Sequence, residues 1–232
     1  MGLKIGYIGL TLFTIAFLIR IAFKAINETS NTRKKDKFTF VTALLLWHIF
    51  IFVIASSGIL KSYAFPPRFA VAFILPSFLF TGIFLYGNRN KKWIRTIPEH
   101  WVIYFQTFRI LVESLFVMSV AQGILHPLVT IEGYNMDMIF AFTAPIIAFL
   151  VYTRNMLPKR VVLYWNYLGL AVIASIIFLF MTSIYKPELW GENEPMLPIE
   201  MFTYPYVLIA GFLMPVAVFL HVLSIVQISN SK

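Results

Sequence analysis

The amino-acid sequence predicts an all-α membrane protein with seven transmembrane helices in one domain, residues 1–232. Hydrophobic residues make up 59% of the chain and charged residues only 12%, and a soluble domain of that composition would expose large apolar patches. The apolar residues fall into seven stretches, each close to the ~20 residues that a helix needs to cross ~30 Å of hydrocarbon. The period-2 alternation of a membrane β-barrel is absent. Helices are therefore the predicted elements, because backbone groups in lipid must be satisfied internally.

The predicted spans follow one another with short connections. They are residues 3–25, 38–60, 69–87, 100–122, 137–153, 161–184 and 205–228. The first has one early charge, Lys4, and no small-residue cleavage pattern, so we expect a helix of the mature protein rather than a cleaved signal peptide. The fifth is short, and we expect it to extend outward into 133–137. Pro76, Pro145 and Pro215 interrupt spans 3, 5 and 7 and predict kinks.

Positive charge is distributed unequally between the two sides of the predicted bundle. The loops after spans 1, 3 and 5 are basic: Arg33, Lys34, Lys35, Lys37, Arg89, Lys91, Lys92, Arg95, Arg154, Lys159 and Arg160. The other side holds fewer basic residues and five of the ten acidic ones: Lys4, Lys61, Arg68, Lys186, Glu132, Glu188, Glu192, Glu194 and Glu200. The positive-inside rule then predicts the N-terminus outside and the C-terminus in the cytoplasm of a plasma membrane. We expect the basic loops to lie on anionic lipid headgroups and do not expect nucleic acid as a partner.

Short sequence echoes recur in the same order in spans 1–3 and spans 5–7. Residues 15–18 recur at 147–150, Trp47-His48 recurs as Trp165-Asn166, and Pro66 and Pro76 recur as Pro205 and Pro215. Chance is the alternative explanation, because apolar sequences match one another easily. A real repeat would give a 3+1+3 parallel layout with span 4 as the linker, as in SWEET-type sugar transporters and microbial rhodopsins. The similarity ends at the layout, because the Pro-Gln pair of SWEET-type helices is absent and span 7 lacks a lysine for retinal.

Span 4 carries two opposite charges inside the predicted membrane. Arg109 and Glu113 are four residues apart and share a helix face, and Gln106 precedes Arg109 by three. At 1.5 Å per residue the two charges lie ~14 and ~20 Å from the cytoplasmic edge. An ionised group at such depth costs at least ~2.5 kcal/mol, so this face must point into protein or water. It predicts a substrate or proton site, with a structural ion pair as the alternative.

Three further polar residues fall at similar depth: His48 in span 2, Asn166 in span 6 and His221 in span 7. A histidine can accept or pass a proton near neutral pH, so we include them in the same pathway. The alternative is that each is a satisfied packing residue. The four histidines show no metal-ligand spacing, and the chain has no cysteine, so we expect neither a metal site nor a cofactor.

A second polar group precedes span 5. Glu132, Asn135 and Asp137 are predicted to line an outer mouth that attracts cations. The alternative is helix capping, with Asn135 as the cap and Asp137 offsetting the helix dipole. A metal site of His126, Glu132 and Asp137 is disfavoured, because their spacing is unspecific.

These motifs together resemble one family of bacterial seven-span membrane proteins. The resemblance covers spans 4 to 7 and is carried by Gln106-x2-Arg109-x3-Glu113, Glu132-Gly133-x-Asn135-x-Asp137, Ala144-Pro145, Trp165-Asn166-x2-Gly169-Leu170, Pro215 and His221. It implies a protein of the bacterial inner membrane and draws attention to these residues. It implies no particular reaction.

The sequence favours a small-solute or proton-coupled transporter or channel. Arg109 would bind an anionic group or hold Glu113, and Glu113 would exchange a proton with His48 or His221 as relay. The alternatives are a seven-helix sensory or ligand-binding protein and, third, an intramembrane enzyme acting on lipid, for which no catalytic residues stand out. The expected partners are the lipid bilayer, a small-molecule ligand and, as an open question, further copies of the chain in a homo-oligomer.

Overall fold

The computed structural model describes residues 2–230, and its regular elements in that range are helices without strands. Eight helices follow one another: α1 (Gly2–Thr29), α2 (Arg33–Ser56), α3 (Ala70–Asn88), α4 (Lys92–Thr96), α5 (Glu99–Val120), α6 (Asp137–Thr153), α7 (Lys159–Tyr185) and α8 (Ile209–Ser229). Short 3-10 turns lie in the connections at Pro127–Val129, Pro187–Trp190 and Ile199–Phe202.

Six of these helices are long and apolar enough to cross a membrane: α1, α2, α3, α5, α7 and α8. This is the construction of an integral membrane protein. The helix at predicted span 5, α6, has 12 α-helical and five π-helical residues, or ~25 Å at 1.5 Å per residue. It begins at Asp137, and residues 133–136, into which we expected it to extend, form a loop. The seventh crossing stays a prediction.

The second helix is displaced from its predicted span of 38–60. It begins at Arg33, because a helix continues into its charged flank where that flank is exposed. It ends at Ser56, two residues before Gly58, whose φ of 77° lies in the left-handed region that a continuing helix cannot use. The predicted bounds of 38–60 came from apolar residues alone, whereas in the structure the helix ends just before Gly58.

Three helices contain a π-helical turn, and each turn lies near one of the interrupting prolines. The turns are Ala70–Ile74 before Pro76, Phe149–Thr153 after Pro145, and Ile209–Leu213 before Pro215. Proline has no N–H to donate to the carbonyl four residues earlier, so the helix must adjust around it. The carbonyl that Pro215 leaves free is that of Gly211, and Trp47 Nε1 on α2 donates to it at 2.9 Å.

The π turns of α3 and α8 stand at equivalent places in the proposed repeat. Each begins four residues after the first proline of its pair, Pro66 or Pro205, and ends two before the second. The two helices also pack against each other along these turns. The equivalent tryptophans differ, because Trp47 bonds Gly211 whereas Trp165 bonds Thr143. The 3+1+3 repeat therefore stays a prediction.

Helix α8 lies at the centre of the bundle. It packs against α3, α5 and α7, and 67% of its apolar window is buried, against 11% for α2. Helix α5 is the next most buried, at 56%. Within α5 the backbone tightens just before Arg109, whose N–H donates to the Gln106 carbonyl three residues back at 3.2 Å. Helices α5 and α8, which carry most of the polar residues predicted inside the membrane, are therefore the two most buried of the candidate spans.

Candidate functional site

A series of buried polar residues runs through the bundle, joined by side-chain hydrogen bonds and, at one link, by the backbone N–H of Asp137. We call it the polar chain, and its seven members in hydrogen-bonded order are Glu113, Asn135, Asp137, Arg109, His221, Asn166 and Ser224. No member exposes more than 7% of its surface. The members belong to α5, the loop after it, α6, α7 and α8, so the polar chain connects four helices.

The ion pair at its centre joins Arg109 to Asp137. Arg109 Nε donates to Asp137 Oδ2 at 3.1 Å, and Nη2 donates to Oδ1, which gives the two parallel bonds that a guanidinium makes best. The sequence led us to expect Glu113 as the partner of Arg109, and within residues 2–230 no salt bridge joins those two. Asp137 is the first residue of α6, where its carboxylate also offsets the positive end of the helix dipole.

The third hydrogen bond of Arg109 determines which ring nitrogen of His221 carries the proton. Arg109 Nη1 lies 2.9 Å from His221 Nε2, and since a guanidinium has only N–H donors, Nε2 must accept. The ring proton then lies on Nδ1, which donates to Asn166 Oδ1 at 2.8 Å. Asn166 Nδ2 donates in turn to Ser224 Oγ at 2.9 Å. His221 is therefore neutral here, and a second ring proton would require Arg109 to move away.

Glu113 lies at the opposite end of the polar chain from Ser224. One carboxylate oxygen accepts the backbone N–H of Ile131, and the other accepts Asn135 Nδ2 at 3.0 Å. Asn135 Oδ1 accepts the backbone N–H of Asp137, two residues on, at 2.9 Å. The cap position of α6 is Met136, so the expectation that Asn135 is the cap was wrong. Asn135 therefore bridges the two carboxylate-bearing residues.

The polar chain has an excess of negative charge. One permanent cation, Arg109, stands against two carboxylates, Asp137 and Glu113, so the formal charge is −1 when both are ionised. Buried charges are tolerated when they are paired and hydrogen-bonded, and Glu113 has hydrogen bonds without a cation. This is the arrangement that favours taking up a proton.

The ring of His221 is held by close packing as well as by hydrogen bonds. A Cβ on Gly169 would overlap His221 Cε1, so only glycine fits at that position of α7. On another side of the ring lies Trp165, at 5.3 Å between centroids, which stacks on Phe140 at 4.8 Å. Gly169 and Trp165 therefore shape the space that the imidazole ring of His221 fills.

Three predicted site residues lie outside the polar chain. Gln106 is fully buried and donates to the Ala217 carbonyl at 3.1 Å, and its Oε1 has no hydrogen-bond partner within residues 2–230. His48 bonds the Leu44 carbonyl at 2.8 Å and packs on Phe212 at 4.4 Å between centroids.

Glu132 is exposed, whereas Asn135 and Asp137 are buried inside the bundle instead of lining an open mouth. Within the described range no three His, Cys, Asp or Glu side chains come together as a metal site. His126 uses Nδ1 to accept the backbone N–H of Leu128 at 3.2 Å.

A cavity of about 80 Å³ lies beside the polar chain, between α5, α7 and α8. Its polar wall is made by Arg109, Asn135 and Asp137. The remaining lining residues are apolar, mainly Ile, Phe and Met. The cavity thus has one polar corner in an apolar surround.

Comparison of the chain with family models, with curated proteins and with solved structures gave no match. The resemblance to a bacterial membrane-protein family stays a prediction.

Proposed function

We propose that this chain is a membrane transporter for a small solute and that solute movement is coupled to proton binding at Glu113. The polar chain carries the proposal. Burying seven polar side chains among apolar helices costs free energy even when they are hydrogen-bonded, and intramembrane ionisable residues mark substrate and proton pathways. A purely structural tie between helices would not need a second, uncompensated carboxylate.

Glu113 is the group proposed to bind and release the proton. Asp137 is held by Arg109 through two bonds, so its charge is already balanced. Glu113 is held only by the neutral donors of Ile131 and Asn135. A proton on Glu113 would leave the polar chain with one cation and one anion, and so with no net charge. The two protonation states therefore differ in the cost of burial, and such a difference can drive a change between two conformations.

The roles of the other members follow from their bonds. Arg109 would hold Asp137 and His221 together rather than transfer a proton, because a guanidinium does not deprotonate in proteins. His221 would then act as a positioning residue between α5 and α7. Direct relay from Glu113 to His221 or His48 finds no support in the hydrogen bonds, since Asn135, Asp137 and Arg109 stand between Glu113 and His221.

The proposed setting is the inner membrane of a bacterium, with the N-terminus outside, the C-terminus in the cytoplasm and the basic loops on anionic headgroups. The placement of the loops is compatible with this proposal. Lys159 pairs with Glu99 at 2.8 Å, and Arg95 donates to the Asn230 carbonyl at 3.3 Å, so the loops expected in the cytoplasm lie together at one end.

The test is proton uptake by proteoliposomes that contain a pH-sensitive dye. A membrane potential is imposed, and a filtered small-molecule extract of bacterial cells is added outside. We expect Glu113→Gln to abolish uptake, because the amide cannot exchange a proton. Glu194→Gln is the matched control, since it changes an exposed glutamate of the loop before α8, and it should leave uptake unchanged. Full uptake by Glu113→Gln at equal insertion rejects the role of Glu113.

A ligand-binding receptor is the second candidate, and the cavity with its polar corner of Arg109, Asn135 and Asp137 favours it. The cavity encloses about 80 Å³, below the ~300–1,000 Å³ of sites for drug-sized ligands, so it suits a very small ligand or one end of a larger one. Such a protein would show no proton uptake with the extract but a ligand-dependent rise in melting temperature.

A further inference from the structure

The cavity beside Arg109 lies where α7 and α8 separate. On the inner side the two helices meet closely, through Gly169 against His221 and Asn166 against Ser224. On the outer side they form opposite walls, with residues 173–181 of α7 facing residues 209–217 of α8. The helices therefore diverge toward the end of the bundle that holds Asn135.

The wall between them is incomplete. Lining residues from both helices are only half-buried: Ile176, Ile177, Phe180 and Met181 on α7, and Ala210 and Met214 on α8. In a bilayer, the neighbours of these side chains are acyl chains. The cavity is thus accessible sideways from the apolar layer, and its methionines can adapt to a flexible guest.

The polar corner of the cavity retains hydrogen-bonding capacity. A guanidinium has five N–H donors, and Arg109 uses three, two toward Asp137 and one toward His221. Two N–H donors therefore remain at a residue that borders the cavity. Their partner must be an acceptor.

The charge of the polar chain selects the kind of acceptor. Arg109 is already balanced by Asp137, and Glu113 adds a further negative charge, so an anionic head group would meet repulsion. An ammonium head has no acceptor to offer and would stand beside the guanidinium. A neutral carbonyl can accept from Arg109 without changing the net charge.

We propose that this cavity binds the carbonyl end of a neutral amphiphile, which enters from the bilayer between α7 and α8. The proposal rests on the proposed function, since the amphiphile would be the transported solute. A volume of about 80 Å³ corresponds to two or three waters at ~30 Å³ each. It admits the head group and the first carbons, and the rest of the chain lies along Ile177 and Met181.

The experiment uses infrared spectroscopy of 2-decanone labelled with carbon-13 at its carbonyl. The full-length protein is placed in vesicles of diether phospholipid, which contain no carbonyl of their own. We expect a second carbonyl band at lower frequency, since a hydrogen bond from a guanidinium weakens the C=O bond, and it should saturate near one probe per chain. A single band at the frequency of protein-free vesicles overturns the proposal.

Two variants locate the site. Ala210→Phe fills the cavity and should remove the shifted band, and Ala210→Leu should reduce it. Ala174→Phe makes the same change at an exposed position of α7 and should keep the band. A shifted band that survives Ala210→Phe in folded protein overturns the assignment to this cavity.

Further arms distinguish the head group and its source. Labelled decanoate should give no protein-dependent shift, and a shift equal to that of the ketone overturns the preference for a neutral head. In vesicles of ester-linked phospholipid the ketone band should persist, because a phospholipid carries a charged phosphate head group, and loss of the band to the lipid ester overturns the assignment to a free neutral amphiphile. Glu113→Gln should lose proton uptake but keep the band, so the two proposals fail separately.

Discussion

Arg109 shows how far the residue pattern alone could predict the site. Span 4 offered Glu113, four residues away on the same face, as the partner of Arg109. The structure pairs Arg109 with Asp137, 28 residues away, because Asp137 can accept both N–H bonds side by side from the start of another helix. Which helices meet is a property of the whole bundle, and a single sequence does not show it.

The members of the polar chain were mostly visible in the sequence, but their contacts were not. Arg109, Glu113, Asn135, Asp137, Asn166 and His221 were all predicted as site residues. Ser224 was missed because a lone serine on an apolar helix is unremarkable in composition. The available signal was its spacing, since Ser224 follows His221 by three residues and so shares its helix face.

Gly169 provides a prediction at the residue scale. We expect Gly169→Ala to destabilise the protein by about 1–3 kcal/mol, because its methyl group would overlap the His221 ring, and core overpacking costs that much. The measurement is the free energy of unfolding in detergent. Gly82→Ala is the control, since nothing lies within 4 Å of its added Cβ, and a helical alanine there should be neutral or stabilising. Equal effects of the two substitutions contradict the packing argument.

At the scale of the element, the prolines predicted irregular helices but not the form of the irregularity. Pro76 and Pro215 each follow a π turn, and Pro145 precedes one. A missing N–H can be accommodated by a kink, a π turn or a side-chain donor. The choice in α8 depends on Trp47, which comes from another helix, so the sequence of α8 alone could not reveal it.

The bond from Trp47 to the Gly211 carbonyl supports a double-mutant prediction. Trp47→Phe should cost more than the ~1 kcal/mol of a typical hydrogen bond, because it also leaves a carbonyl without its donor. In a Pro215→Ala background the cost should fall, since residue 215 regains an N–H for that carbonyl. The four unfolding free energies give the coupling between the two sites.

Pro76→Ala supplies the control for this cycle. It makes the same change at the equivalent position of α3, and its cost should add to that of Trp47→Phe without coupling. A coupling of zero with Pro215→Ala would mean that Trp47 does not compensate for the missing N–H.

The whole molecule is organised with its connections gathered at two ends. At the end expected outside, Tyr63 Oη donates to the Leu197 carbonyl at 2.7 Å, which ties the α2–α3 loop to the long loop before α8. Burial, and secondarily the charge of Glu200, raises the pKa of Tyr63, so its hydroxyl stays protonated as the donor. Apolar stretches and charge were enough to predict the class of the molecule, whereas its direction in the membrane needs an experiment.

The absence of cysteine makes the direction simple to measure. Each introduced cysteine would be the sole thiol, and all four chosen positions are exposed. We expect a membrane-impermeant maleimide to label Lys61→Cys and Glu192→Cys in intact bacterial cells. Lys35→Cys and Lys92→Cys should react only after permeabilisation. The reverse pattern would invert the proposed topology.

The central position of Arg109 has an electrical consequence. Protons hop along a series of groups only if each group can both give and receive one, and a guanidinium does neither at physiological pH. Arg109 therefore blocks direct proton transfer between Glu113 and the imidazole of His221. In the proposed transporter, charge would then cross in discrete, saturable turnovers, with Glu113 facing one compartment at a time, and the current would level off as the driving voltage rises instead of growing like that of a pore.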